Sequence, residues 1–227
     1  MDPFIVSNLK ALIMFGHLSG LAFGVGGAWI LDLYILRKMY RSPITQENIQ
    51  IIKFVSQIVS LGLVMLWLSG LSFLLFYSFF QPELLSNQKI WAKLLIVIAL
   101  TINGYYLHKF VIPIIFSNQN KILIRAVSLK QVNTITFIGC ISFVTWPFAM
   151  LLGVFKSLNF AFSFSQILSF YAAALLLSLG AAFTLKAFLL EKEMDLKIKR
   201  LNQNLSDSNK KLAQQQRDIE ALTKVLR

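Results

Sequence analysis

Five long apolar runs separated by short polar stretches dominate the chain, at residues 11–36, 53–79, 91–116, 132–155 and 165–190. Each is at least about 20 residues long, the length with which an α-helix crosses the hydrocarbon core of a bilayer. Polarity does not alternate within them, so the pattern predicts helices rather than barrel strands. After Leu190 the pattern changes to Gln, Asn, Lys and Glu with no Gly or Pro. Apolar residues then recur in alternating steps of four and three at Met194, Ile198, Leu201, Leu205, Leu212, Ile219, Leu222 and Leu226. Ser208 and Gln215 fill the two polar places in the seam. Heptads sustained this far predict a coiled coil. Ile set three residues before Leu, as in Ile198–Leu201 and Ile219–Leu222, favours two parallel strands. The expected fold is therefore all-α: a bundle of five transmembrane helices over 1–190, its last helix continuing into a cytoplasmic parallel coiled coil over 191–227.

Composition supports this reading, since 56% of the 227 residues are hydrophobic and only 14% are charged. The net charge of +12 does not imply nucleic acid, because the basic residues flank the apolar runs as topology signals do. Arg37, Lys38, Arg41 and Lys53 follow span 1. Lys121, Arg125 and Lys130 follow span 3, and Lys192, Lys197, Lys199 and Arg200 follow span 5. The other side carries Lys10, Lys89 and Lys156, with Lys93 just inside span 3. The richer side is cytoplasmic by the positive-inside rule, which puts the N-terminus outside and the C-terminus in the cytoplasm of a bacterial inner membrane. The single cysteine, Cys140, excludes an internal disulfide and any multi-cysteine metal site. No phosphate loop, nucleophile elbow or zinc motif occurs, so no catalytic residue is assigned and an enzyme is not the first expectation.

The chemistry concentrates in span 1. Gly16, Gly20 and Gly24 recur every four residues and line one stripe of a helix. His17 shares a face with Gly20, Gly24 and Gly27. Two readings stay open: close helix packing beside a hydrogen-bonded imidazole, or a groove for the edge of a flat cofactor with His17 as its ligand. Depth along five antiparallel spans sorts the remaining polar residues into two groups. The outer group is His17, Met14, Lys93 and Met150. The inner group is Asp32, Gln57, Tyr105, His108 and Lys109, in which Asp32 and His108 form an expected intramembrane pair. At 1.5 Å per residue the two histidines differ in depth by roughly 15–20 Å. Unless the boundaries shift by about two turns, they do not face each other across one haem iron. Haem b on His17 and Met150, and copper on His17, Met14 and Met150, are both chemically acceptable. Pro113 and Pro147 are expected to kink their helices, with Thr145 able to satisfy a freed carbonyl.

Several stretches resemble a known family. Leu9-Lys10-Ala11-Leu12 leads into the His-bearing first span, and span 2 carries Gly62-Leu63 and Leu68-Ser69-Gly70. Trp91-Ala92-Lys93-Leu94-Leu95 opens span 3 and is followed by Asn103-Gly104-Tyr105-Tyr106-Leu107-His108. Over residues 9–155 these are similar to small bacterial membrane proteins of the haem-linked protoporphyrinogen oxidase and copper-resistance-D type. The resemblance implies haem binding through a first-span His and Lys93; His17, His108 and Met150 are haem-ligand candidates on the residues' own chemistry. The family's first-span His falls at Ile13, one turn before His17 and on the same face. The tail, with Asp218-Ile219-Glu220-Ala221-Leu222, resembles signalling helices that join membrane sensors to cyclase or kinase output domains.

The function expected from all this is a homodimeric membrane sensor or regulatory anchor. It would hold a small ligand such as haem among spans 1–4 and pass a shift through span 5 to a cytoplasmic output domain beyond this chain. The alternatives are a haem-dependent oxidoreductase like the protoporphyrinogen oxidase and a copper or ion transporter.

Overall fold

The computed structural model describes residues 2–225, and the side chains of all of these except Glu193, Arg217, Asp218 and 220–225. Among them there is no strand. Five helices are long and apolar enough to cross a membrane: α1 (Pro3–Arg41), α2 (Gln46–Phe80), α3 (Gln88–Ser117), α4 (Leu129–Val154) and α5 (Phe164–Val225). A single turn, Leu123–Ala126, precedes α4.

The helices start and stop outside the apolar runs because capping, not hydropathy, sets their ends. Asp2 accepts from the Phe4 amide at 2.9 Å and Pro3 takes the first helical position of α1, where its missing N–H costs nothing. Thr45 and Asn48 form a reciprocal capping box at the start of α2. Ser128 and Gln131 do the same for α4. Each box satisfies amides that the first turn leaves without an intrahelical partner. Thr45 is thus the cap, and Pro43 stays outside the helix.

Two helices are not α throughout. Residues Ala22–Gly26 of α1 and Leu107–Val111 of α3 are π turns. The second ends two residues before Pro113, so the expected kink takes the form of a widened turn. Pro147 lies inside α4 and leaves the Phe143 carbonyl without its usual helical donor. The Trp29 indole donates to that carbonyl at 3.4 Å. Thr145, expected in this role, donates instead to Ile141 O and pairs with the Tyr171 hydroxyl of α5 at 2.9 Å.

The polar stretches gather at two ends. At one, the Ile44 amide donates to Lys121 O at 3.2 Å and the Asn120 amide to Ile44 O at 2.8 Å, joining the two most basic loops. Asn120 adopts a left-handed φ of 60° there, which Asn tolerates better than bulkier residues. At the other end, Lys10 donates to Gln81 Oε1 at 2.8 Å. Lys89 Nζ donates to Phe155 O and to Asn159 Oδ1, both at 2.8 Å. Lys89, read from sequence as a loop charge, is therefore a buried tether between the start of α3 and the α4–α5 loop.

The chain divides into two compact units, Met1–Gly180 and Ala181–Arg227. In the first, one core cluster of Val25, Ala28, Leu66, Leu100 and Trp146 joins α1–α4. Another, of Ala92, Ile96, Ala149, Leu152 and Ile167, joins α3 and α4 to the start of α5. Large apolar side chains such as Phe4, Leu12, Phe15, Phe54, Leu61 and Phe79 are exposed, as in a membrane protein. In the second unit, Met194, Ile198, Leu201, Leu205, Leu212 and Ile219 are all more than half exposed. The side chain of Leu222, and Leu226 altogether, lie outside the described residues.

Candidate functional site

The glycine stripe of α1 is a helix crossing. A Cβ on Gly62 of α2 would lie 2.5 Å from the Gly24 amide nitrogen and 2.8 Å from the Gly20 carbonyl oxygen. A Cβ on Gly20 would lie 2.9 Å from Met65 Cβ, and one on Gly24 would run into the Trp146 ring. A Cβ on Gly27 would come within 2.8 Å of Val59 Cγ2. Only glycines let the two backbones come this close. Gly16, expected in the same stripe, faces open space, because the contact begins one turn further along. The groove that had room for a flat cofactor in the sequence reading is filled by α2 and by Trp146.

His17 sits just above this crossing, half-buried. Its Nδ1 lies 2.9 Å from the Ser69 hydroxyl oxygen, and that hydroxyl donates to Met65 O at 2.6 Å. A hydroxyl has one proton. With that proton on Met65 O, the oxygen accepts from an Nδ1–H tautomer and the His17 Nε2 keeps its lone pair. The ring meets Phe73 edge-on at 5.6 Å. His17 therefore faces α2. Lys93 lies within electrostatic reach of it. The rest of the outer group does not close around the imidazole: Met14 is exposed, and Met150 packs against the cluster containing Trp146. Among the described residues no group of three or more His, Cys, Asp or Glu could hold a metal ion.

The inner group is partly assembled. A cleft of about 180 Å³ between α1, α2, α3 and α4 is lined by Asp32, Tyr105 and His108. Gln57 is exposed and does not line it. Lys109 points at the rim, where it donates to the Tyr105 hydroxyl at 3.2 Å. Asp32 and His108 share the cleft without a hydrogen bond between them. Ser142 of α4 lies beside the Asp32 carboxyl, and the buried oxygen Asp32 Oδ2 has no hydrogen-bond partner. His17 is not among the lining residues, so the two histidines belong to different places. The cleft is also smaller than the roughly 300–1,000 Å³ typical of organic-ligand pockets. Neither it nor the filled glycine groove fits a haem.

The sequence reading missed the hydroxyls of the cleft. Ser56, Ser60 and Thr101 line it, and Trp67 donates to Thr101 Oγ1 at 3.0 Å. Ser56 and Ser60 stand four residues apart on one face of α2, and that spacing was the available signal. Comparisons of this chain with protein families, with curated proteins and with solved structures find no match.

Proposed function

We propose that this chain is a membrane-embedded regulatory module that works as a homodimer. The five helices cross the bilayer with the N-terminus outside. Two copies of the tail pair in parallel in the cytoplasm and deliver a signal to an output partner. The observation that carries this reading is the tail's exposed apolar stripe. A helix with six large apolar side chains on one seam, each more than half exposed, buries them by pairing with a like helix. A route from the bundle to the tail is also at hand. Ser142 and Trp146 of α4 line the inner cleft. Thr145, next to Trp146, holds Tyr171 at the start of α5, and α5 is one helix from Phe164 to Val225. In this reading a change of packing around the cleft is passed toward the tail along α4 and α5.

The test is Leu212→Cys in a Cys140→Ser background, oxidised in native membranes. A disulfide-linked dimer is expected. An introduced thiol that labels freely but never crosslinks would refute the pairing. A second reading, a haem-linked oxidoreductase, is favoured by Lys93 lying within electrostatic reach of His17. A Soret band in the purified protein would move the balance toward it.

A further inference from the structure

We infer that the cleft beside Asp32 is a binding site for an alkali-metal cation, held by the Asp32 carboxylate together with hydroxyl oxygens. This rests on the membrane reading above, because a lone carboxylate needs a counter-charge most when it is surrounded by hydrocarbon. The argument starts from the protons. The Ser56 hydroxyl donates to Lys53 O at 2.9 Å and the Ser60 hydroxyl to Ser56 O at 2.9 Å. Thr101 donates to Val97 O at 2.8 Å. Each of these residues has one hydroxyl proton and has placed it on a carbonyl of its own helix. What the two serines offer the cleft is oxygen lone pairs, and Thr101, which also accepts from the Trp67 indole, keeps one. Asp32 Oδ2 is buried with no donor to meet it, and no Lys or Arg lines the cleft. The cleft is therefore acceptor-rich and short of positive charge.

Hard cations take oxygen ligands. One carboxylate balances one charge, whereas calcium sites collect several. A cleft of about 180 Å³ has the volume of about six waters, so an ion there keeps part of its hydration shell. Ser142, beside the Asp32 carboxyl, adds a further hydroxyl oxygen to the lining.

The test uses the full chain in detergent at pH 8, with melting followed by helical circular dichroism. Sodium, potassium or lithium chloride replaces choline chloride at constant total salt, so that screening does not change. At least one ion should raise the melting temperature saturably by about 3–5 °C. Asp32→Asn should abolish the rise. This variant removes a buried charge and should fold at least as well without the ion. Ser142→Ala, a milder second variant, should move the midpoint concentration about tenfold. Equal melting in all four salts would overturn the inference, as would a rise that persists in Asp32→Asn. A melting temperature that depends on pH through Asp32 in choline, with no alkali-ion effect, would overturn it in favour of a proton. The Leu212→Cys crosslink reads the tail alone, so failure of the ion site and failure of the dimer reading are separate results.

Discussion

Gly62→Ala adds one methyl group where α1 and α2 cross, and its effect can be worked out from the contacts. The new Cβ would stand 2.5 Å from the Gly24 amide nitrogen, 2.8 Å from the Gly20 carbonyl oxygen and 3.0 Å from Gly24 Cα. All three are backbone atoms of the facing helix, so no side chain can rotate away. Reaching ordinary contact, which begins at 3.4 Å, requires the helices to part by about 0.9 Å locally. That separation loosens Val25 and Leu66, which belong to the core cluster beside the crossing. Overpacking of this kind costs about 1–3 kcal/mol, and alanine's better helix propensity returns about 0.5–1 kcal/mol of it. The net loss centres on about 1 kcal/mol, which corresponds to a fall of about 2–4 °C for a chain of this size. Gly70→Ala on the same helix meets nothing within 4 Å, so it keeps the propensity gain without the clash. Cys140 is the sole cysteine and is buried, so a maleimide dye that fluoresces on reacting with it reports unfolding in detergent. If Gly62→Ala melted with or above Gly70→Ala, α1 and α2 would not cross at this distance.

Lys89→Met keeps most of the side chain's bulk and removes its bonds to Phe155 O and Asn159 Oδ1. A loss of about 1.5–3 kcal/mol is expected, together with faster proteolysis in the α4–α5 loop, and wild-type melting would show that the tether holds nothing. For topology, cysteines placed at Leu85 and at Leu205 should react with impermeant reagents from opposite sides of the membrane, and labelling from the same side would refute the orientation.

The number and order of the helices were legible in the sequence because hydropathy integrates over about 20 residues and tolerates errors in detail. A close crossing at Gly20 and Gly24 was one of the two readings that the spacing left open, and the contacts with Gly62 and Trp146 decide for it. Gly16 was not separable from them: the stripe gives a direction but not the height at which the helices meet. Depth counting placed Asp32 and His108 at one level, and both line one cleft. The same counting put Gln57 with them, although it is exposed, because depth fixes height along a helix and leaves azimuth open. The Ser69 partner of His17 and the Trp29 bond to the Phe143 carbonyl depend on contacts between residues 52 and 114 positions apart. No local pattern carries such pairs.

The π turn of α1 has a consequence for chain length. A turn that closes from i to i+5 takes in one residue more than an α turn, and one residue of an α-helix is about 100° of rotation. Everything beyond Gly26 is therefore set about 100° from the phase that an uninterrupted α-helix would give it. Straightening Ala22–Gly26 to an α turn with no residue removed, and with the Gly20–Gly62 crossing held in place, would turn Asp32 to the direction that Leu33 now takes, where a side chain is 54% exposed, and would bring Leu31 to the place of Asp32. Deleting one residue from Ala22–Gly26 would instead remove the wide turn and leave everything beyond it in its present direction. One extra residue in that turn thus decides whether a carboxylate meets the oxygens of the cleft or faces the outside of the bundle.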